Sequence, residues 1–204
     1  MALPWLDRVL YRHPFEGASA RRYATAERPA FGDLDERLLD AMGLDGARRL
    51  LDLGSGPGTF AARAAARHPD LQVIAVEPSH AFRPLVRAVG EALPLASGCI
   101  DVAICLSSIR HVRDRRATLR ELRRVVRRDG RLVIVELDPA SSSRRIAAHA
   151  DRLGSPLLRR AFGPLVVRTA PPVGAIESLA HGAGWSTASR RDDAVQPVYI
   201  LELA

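Results

Sequence analysis

A short apolar run that ends in three alternating glycines constrains this chain more than any other feature. The run Arg49–Leu53 predicts a buried strand that breaks at Gly54, and Gly56 and Gly58 follow at alternate positions. Pro57 suits the first turn of a helix, because its missing N–H would have no partner there. Glycines let a ligand approach the backbone, and a helix N-terminus offers free N–H groups to an anion. The sequence therefore predicts a ligand site between a strand and a helix.

Apolar strands and helical segments alternate from residue 46 to residue 138. Strands this apolar indicate that helices cover both faces of a mostly parallel sheet. Trp185–Arg191 and Val198–Leu203 then read as an antiparallel hairpin. We therefore expect an α/β, doubly wound fold with a mostly parallel seven-stranded sheet and a C-terminal antiparallel hairpin. The other predicted elements are strands at 49–53, 72–76, 87–89, 100–106 and 132–135, and helices at 33–43, 57–67, from about 79, 114–128 and 173–181.

The length of 204 residues fits one domain, which we divide into four parts. Residues 1–45 form an N-terminal helical cap and carry five of the ten aromatic residues. The ligand-binding core follows at 46–138, and the C-terminal helix and hairpin occupy 173–204. The segment between them, 139–172, is too long for a simple connection, so we expect it to be a lid or a partner surface.

The positive charge of the chain is concentrated in one segment. The net charge is +7, all 30 basic residues are arginine, and the segment Arg110–Arg131 holds ten of them against three acidic residues. Uniform use of arginine indicates a coding bias rather than a phosphate-binding design. The segment is therefore interpreted as a solvated helix face, and a nucleic-acid surface stays open as the alternative.

Several classes of protein are disfavoured by what the sequence lacks. No apolar run approaches the roughly 20 residues that a membrane span needs. Charges interrupt the first apolar stretch, which argues against a secretory signal. Cys99 and Cys105 cannot make a disulfide scaffold, and no Cys/His spacing suggests zinc. We therefore expect a cytoplasmic protein without a membrane span.

The spacing of the glycines separates two kinds of nucleotide site. A dinucleotide fingerprint would place its third glycine at position 59, where this chain has Thr59. Here the pattern is Gly-x-Gly-x-Gly after Asp52, and Glu77 follows the next predicted strand. A carboxylate at that strand end can accept both hydroxyls of a ribose. This arrangement resembles the first two motifs of the class I S-adenosylmethionine-dependent methyltransferases, which have a Rossmann-like fold.

The resemblance extends over most of the chain. The stretch 90–95 (GEALPL) and the stretch 101–103 (DVA) are similar to segments of the branch that contains quinone-biosynthesis and other small-molecule methyltransferases. His111-Val112-x-Asp114 and the stretch 122–132 resemble two further segments of that branch. The glycine motif, the Glu77 motif, the segment 90–103 and the segment 111–132 are four motifs in order at family spacing, which makes the match specific.

The resemblance implies a cofactor, S-adenosylmethionine, and a set of residues that bind it. Gly54, Ser55 and Gly56 would pass under its methionine part, with Asp52 shaping the loop. Glu77 would hold the ribose. The remaining cofactor contacts implied by the resemblance are Pro78 beside the ribose site, Glu91 and Ala92 around the adenine, Leu106 along the pocket, and Tyr23 or Arg28 at the carboxylate.

Two positions depart from the family pattern. Many relatives have an aspartate where this chain has Val89, so adenine recognition would depend on backbone groups or on Glu91. The family's pair of histidines is Arg110-His111 here. His111 is the candidate catalytic base, and a structural cap at the helix entrance is the alternative.

The implied activity is transfer of a methyl group to an O, N or C atom of a small-molecule acceptor by in-line displacement. No metal is expected, because no cluster of carboxylates with His or Asn stands at the strand ends. The segment 139–172 mixes apolar residues with arginines, which favours an apolar or aromatic acceptor that carries an acidic group, in a monomer or homodimer. An RNA methyltransferase and a non-catalytic nucleotide-binding protein are the alternatives, and the arginines of 139–172 could instead serve solubility or a dimer contact.

Overall fold

Six strands form one mixed sheet in the part of the chain that the computed structural model describes, residues 31, 33–82, 85–153 and 156–204. The strand order is β2-β1-β3-β4-β6-β5, with the first four strands parallel and β6 antiparallel to both neighbours. The strands are β1 (Arg49–Leu53), β2 (Gln72–Val76), β3 (Ile100–Leu106), β4 (Val126–Leu137), β5 (Thr187–Asp192) and β6 (Val198–Leu203). The helices are α1 (Leu34–Ala41), α2 (Thr59–Arg67), α3 (Arg115–Val125), α4 (Ser143–Ala150), α5 (Pro156–Ala161), a π-helical turn (Phe162–Val167) and α6 (Val173–His181).

Helices cover both faces of the sheet, as its apolar strands predict. On one face α3 and α6 bury Leu119, Leu122 and Ile176 against the strands. On the other face α1 and α2 bury their apolar sides, together with α4 and the π-helical turn. Residues of β3 are buried along nearly their whole length, which is the pattern of a central parallel strand. The doubly wound α/β fold is therefore confirmed.

The expected seventh strand, at 87–89, is absent from the described residues. Residues 85–95 form turns, with isolated bridges between Val76 and Val86 and between Val89 and Ala92. The helix expected from Ser79 is also wrong, since residues 78–82 form turns. Glu77 explains part of this difference, because its carboxylate accepts the Ser79 N–H at 2.8 Å and fixes a tight turn there.

The end of α3 differs from the sequence prediction as well. The sequence predicts a helix that extends to Arg128, but the observed helix ends at Val125, and Val126 begins β4. The register of β4 against β3 shifts between Ile100 and Val102, and the bulge contains the Asp129-Gly130 turn. Pairing of Val126 with Ile100 in the sheet therefore overrides the helical period of the sequence.

Asp114 and Asp33 both precede helices but act differently. Asp114 caps α3, with its Oδ1 accepting the Ala117 N–H at 3.0 Å. Asp33 stands at the N-cap of α1 without a capping hydrogen bond, and its carboxylate pairs with Arg37 instead. Gly43 follows α1 with a φ of +52°. The helix buries the apolar residues Leu34, Leu38 and Leu39.

The segment 139–172 is helical and packs on the α1 side of the sheet. Its centre is His149, whose ring stacks on Phe162 at 4.6 Å between centroids and meets the edge of Phe31. His149 Nδ1 lies 2.6 Å from Gln196 Oε1, and Gln196 Nε2 donates to the Phe31 carbonyl. The segment is thereby joined to the residues before α1 and to the β5–β6 turn.

Candidate functional site

The glycine loop after β1 is shaped by close packing against the turn that follows β3. Gly54 has a φ of +75°, and a Cβ at this position would lie 2.4 Å from the Ser108 Cβ. Ser108 is held there because its hydroxyl donates to the Leu53 carbonyl at 2.6 Å. The N–H groups of Gly54 and Ser55 both donate to the Val76 carbonyl. Position 54 therefore requires glycine for its backbone conformation and for the space available.

Glu77 connects the loops that follow β1 and β2. Its Oε2 accepts the Gly56 N–H at 3.1 Å, and its Oε1 accepts the Ser79 N–H at 2.8 Å. The side chain is buried, and desolvation raises the pKa of its carboxyl although the two N–H groups act in the opposite direction. Each carboxylate oxygen retains acceptor capacity, so this group can bind a pair of adjacent hydroxyls.

Asp52 lies at the centre of the sheet, directly before the loop. It pairs with Ala75 of β2 and Ile104 of β3, and it is buried. Ser55 and Gly56, by contrast, are half-buried at the carboxyl ends of the parallel strands. The structure therefore brings Asp52, the loop and Glu77 together at the sheet edge where ligands of doubly wound folds bind.

The turn after β3 lies against the glycine loop at the carboxyl ends of the parallel strands. Leu106 is half-buried, and Ser107 adopts a positive φ of 53°, which is uncommon for a residue with a side chain. The Ser107 N–H donates to the Val135 carbonyl at 2.7 Å. His111 is half-buried in the same turn, and its N–H donates to the Ser108 carbonyl at 2.9 Å. The structure therefore places Leu106 and His111 on the segment that also shapes the glycine loop.

Arg110 and Glu136 form a buried pair that the sequence prediction did not identify as part of the site. Arg110 Nη1 lies 3.7 Å from Glu136 Oε1, and Arg110 Nη2 donates to the Val166 carbonyl at 2.8 Å. Burial raises the pKa of Glu136, which Arg110 opposes. This pair joins the turn that carries His111 to β4 and to the π-helical turn. An acidic residue within an apolar strand is the signal that identifies Glu136, whereas Arg110 stands in a run of surface arginines.

Glu91 and Ala92, predicted around the adenine, and Pro78, predicted beside the ribose, lie in the segment between β2 and β3. Glu91 Oε1 accepts the Asp114 N–H at 2.9 Å, so its carboxylate supports the entrance of α3. Ala92 and Pro78 are exposed. Tyr23 and Arg28 lie outside the described residues.

Several arginines of the basic segment 110–131 contact neighbouring parts of the fold. Arg124 pairs with Glu121 and donates to the carbonyls of Leu93 and Leu95. Arg127 pairs with Asp101 at 2.8 Å, and Arg123 lies over the Trp185 ring at 5.0 Å. These arginines therefore fasten α3 and β4 to neighbouring loops.

The described residues show neither a cluster of metal ligands nor a membrane-spanning helix. They contain no group of three or more His, Cys, Asp or Glu side chains arranged to hold a metal ion. None of their helices has both the length and the apolar character that crossing a bilayer requires. Cys105 is buried, which raises the pKa of its thiol to about 12, and Cys99 is half-buried.

Comparisons with known proteins agree with this geometry. The family described as "Methyltransferase domain" matches residues 51–134. The ubiquinone/menaquinone biosynthesis C-methyltransferase of Syntrophotalea carbinolica is 34% identical, over 47% of this chain and 46% of the relative. This chain thus spans about half the length of the curated relatives it matches.

Solved structures show the same fold over nearly the whole chain. A putative S-adenosyl-L-methionine-dependent methyltransferase from Methanococcus maripaludis superposes with a TM-score of 0.71 at 16% identity, covering 93% of both chains. A SAM-dependent methyltransferase from Aquifex aeolicus gives a TM-score of 0.69 at 14% identity, covering 91% of this chain and 96% of that one. Residues 51–134 are therefore similar to the methyltransferase domain family, and the chain shares the fold of solved S-adenosylmethionine-dependent methyltransferases.

Proposed function

We propose that this protein transfers a methyl group from S-adenosylmethionine to a small-molecule acceptor. The observation that carries the proposal is the buried Glu77 carboxylate, which is hydrogen-bonded to the glycine loop through Gly56. This arrangement puts a ribose-binding group and a backbone that a ligand can approach at one sheet edge. The matched family supports the same cofactor.

The residues of the loop fit the cofactor's parts. Glu77 would accept the two ribose hydroxyls, while Gly54, Ser55 and Gly56 would pass beneath the methionine part. Asp52 would support the loop from below, with Leu106 along the pocket. When bound, the cofactor supplies a methyl group on a positively charged sulfur.

Catalysis by this chain would depend mainly on how the acceptor atom is positioned relative to the methyl group. Methyl transfer is an in-line displacement, and holding the acceptor atom in line with the methyl group can supply much of the rate acceleration. A base is needed where the acceptor keeps its proton until late, as a phenol does. His111, in the turn at the ends of the parallel strands, is our candidate for that proton acceptor.

The acceptor would enter over the carboxyl ends of β3 and β4, beneath the segment 139–172. The hydrogen bond from Arg110 to the Val166 carbonyl supports this position, because it joins that segment to the turn carrying His111. The apolar residues and arginines of the segment other than the outward-facing Leu157, Arg160 and Leu165 favour an apolar or aromatic acceptor with an acidic group. Relatives include a quinone C-methyltransferase and a malonyl-[acyl-carrier protein] O-methyltransferase, so they do not determine the acceptor atom.

Calorimetry with S-adenosylhomocysteine and with NAD tests the proposal. The wild-type chain should bind S-adenosylhomocysteine, and Glu77→Ala should weaken binding by about 1–3 kcal/mol through loss of charged hydrogen bonds. Glu202→Ala, a change of the same type on β6, which β3 and β4 separate from β1 and β2, should leave the affinity unchanged. Binding of NAD without binding of S-adenosylhomocysteine would show that the protein is a different kind of nucleotide-binding protein.

A further inference from the structure

The helix formed by α5 and the π-helical turn has a second apolar side that the described residues do not cover. Phe162 and Val167 face the core and are buried. On the outside, Leu157 is 76% exposed and Leu165 is 42% exposed. These two leucines are eight residues apart, a spacing that places them on one side of a helix. The outer side of this helix therefore presents leucines to the surroundings.

Arginines accompany this exposed apolar side. The segment 139–172 contains six arginines and one acidic residue, Asp151. Arg160 is exposed, and its position three residues after Leu157 puts it on the same side of the helix. An amphipathic surface of this composition, with leucines beside arginines, is typical of helices that lie in the headgroup region of a bilayer.

Few arginines of this segment have an acidic partner within the described part of the chain. Among the ion pairs of the described residues, Arg145 is the one arginine of 139–172 with a carboxylate within range, Asp192 at 4.0 Å. Arg159 donates to the carbonyl of Leu153, which leaves its charge uncompensated by an acid. The charge of the segment 139–172 is therefore available to an anionic surface.

We propose that the outer side of the α5–π helix, with Leu157, Arg160 and Leu165, docks on the surface of an anionic lipid bilayer. The leucines enter the boundary between headgroups and acyl chains, and the arginines contact the lipid phosphates. This is a peripheral contact in the plane of the membrane surface. The inference is independent of methyl transfer, because it rests on the composition and exposure of this helix.

Sedimentation with lipid vesicles tests the proposal on the full chain. The protein should bind vesicles of phosphatidylglycerol and phosphatidylcholine, and bind vesicles of phosphatidylcholine alone far less. Binding should weaken when salt is raised from about 0.1 M to about 1 M, where the Debye length falls from roughly 10 Å to roughly 3 Å. Each unit of positive charge near an anionic surface contributes about fivefold to the partition coefficient. Arg160→Glu changes the charge by two units and should therefore reduce the partition coefficient about thirtyfold. Leu157→Ser, added to Arg160→Glu, should reduce the partition coefficient further.

Arg120→Glu is the matched control, because Arg120 is an exposed arginine of α3 on the opposite face of the sheet. This variant should keep its partition coefficient within about twofold, and thermal unfolding should show that all variants fold. An equal loss with Arg120→Glu would refute the assigned surface, as would absence of binding to anionic vesicles. Dimerisation abolished by Leu157→Ser would assign this side to a second copy. Binding of a short RNA, lost in Arg160→Glu and without vesicle binding, would assign it to nucleic acid.

Discussion

Replacement of Gly54 by alanine tests the packing that shapes the glycine loop. The new Cβ would lie 2.4 Å from the Ser108 Cβ and 3.1 Å from its Oγ. Ser108 cannot move away cheaply, because its hydroxyl is bonded to the Leu53 carbonyl. The φ of Gly54, +75°, adds a conformational cost for any residue with a side chain.

Two contributions set the size of the effect. A left-handed backbone costs a residue with a side chain about 1–2 kcal/mol. Over-packing adds about 1–3 kcal/mol. Gly54→Ala should therefore lower the free energy of unfolding by about 2–5 kcal/mol. Gly58→Ala is the matched control, since Gly58 has a φ of +81° with no atom within 4 Å of its added Cβ. It should lose the backbone contribution alone, about 1–2 kcal/mol.

Urea unfolding followed by the fluorescence of the buried Trp185 measures these differences. The variant with Ser108→Gly added to Gly54→Ala should regain part of the loss, because it removes the Cβ that causes the overlap. A double-mutant cycle should then give a coupling of about 1–3 kcal/mol. If Gly54→Ala is no more destabilising than Gly58→Ala, the proposed role of Ser108 is wrong.

Three other predictions concern His149, Arg124 and divalent metal ions. Burial lowers the pKa of His149 from its ordinary 6.5. The stability that its neutral form contributes is therefore present above pH 6.5 and is lost as the pH falls below that value. The free energy of unfolding measured from pH 7 to pH 5 should fall more steeply in the wild type than in His149→Gln. Arg124→Ala should speed hydrogen exchange in the turn around Leu93 and Leu95, whose carbonyls accept from Arg124, while Arg120→Ala should not. Chelation of divalent ions should leave cofactor binding unchanged, and it should also leave turnover of an identified acceptor unchanged. Activity that is lost on chelation and restored by magnesium would contradict the expectation of a metal-free site.

The fold was predictable where one physical signal dominated. Buried parallel strands leave nearly continuous apolar runs, so Ile100–Leu106 and the strand at 49–53 were predicted at their observed bounds. The turn at 77–82 was not predictable, because the Glu77 carboxylate bonds the backbone at Ser79 and a helix was expected there. The end of α3 depends on sheet pairing of Val126 with Ile100, which a local period cannot reveal.

The candidate site was predictable to the extent that its chemistry follows from spacing. The glycines and Glu77 meet as expected, because both end neighbouring parallel strands. The contact from Ser108 to the glycine loop and the bond from Arg110 to Val166 join segments distant in sequence. Side chains of this kind resemble ordinary surface residues until the fold brings them together.

The position of β6 has a consequence for how the chain must assemble. Residues 198–203 lie between β4 and β5, so a strand from the end of the sequence occupies the interior of the sheet. Until β6 pairs, β4 is an unprotected edge with a row of apolar side chains and unpaired backbone groups. Loss of these few residues should therefore cause aggregation of the chain, rather than leave a slightly smaller folded protein.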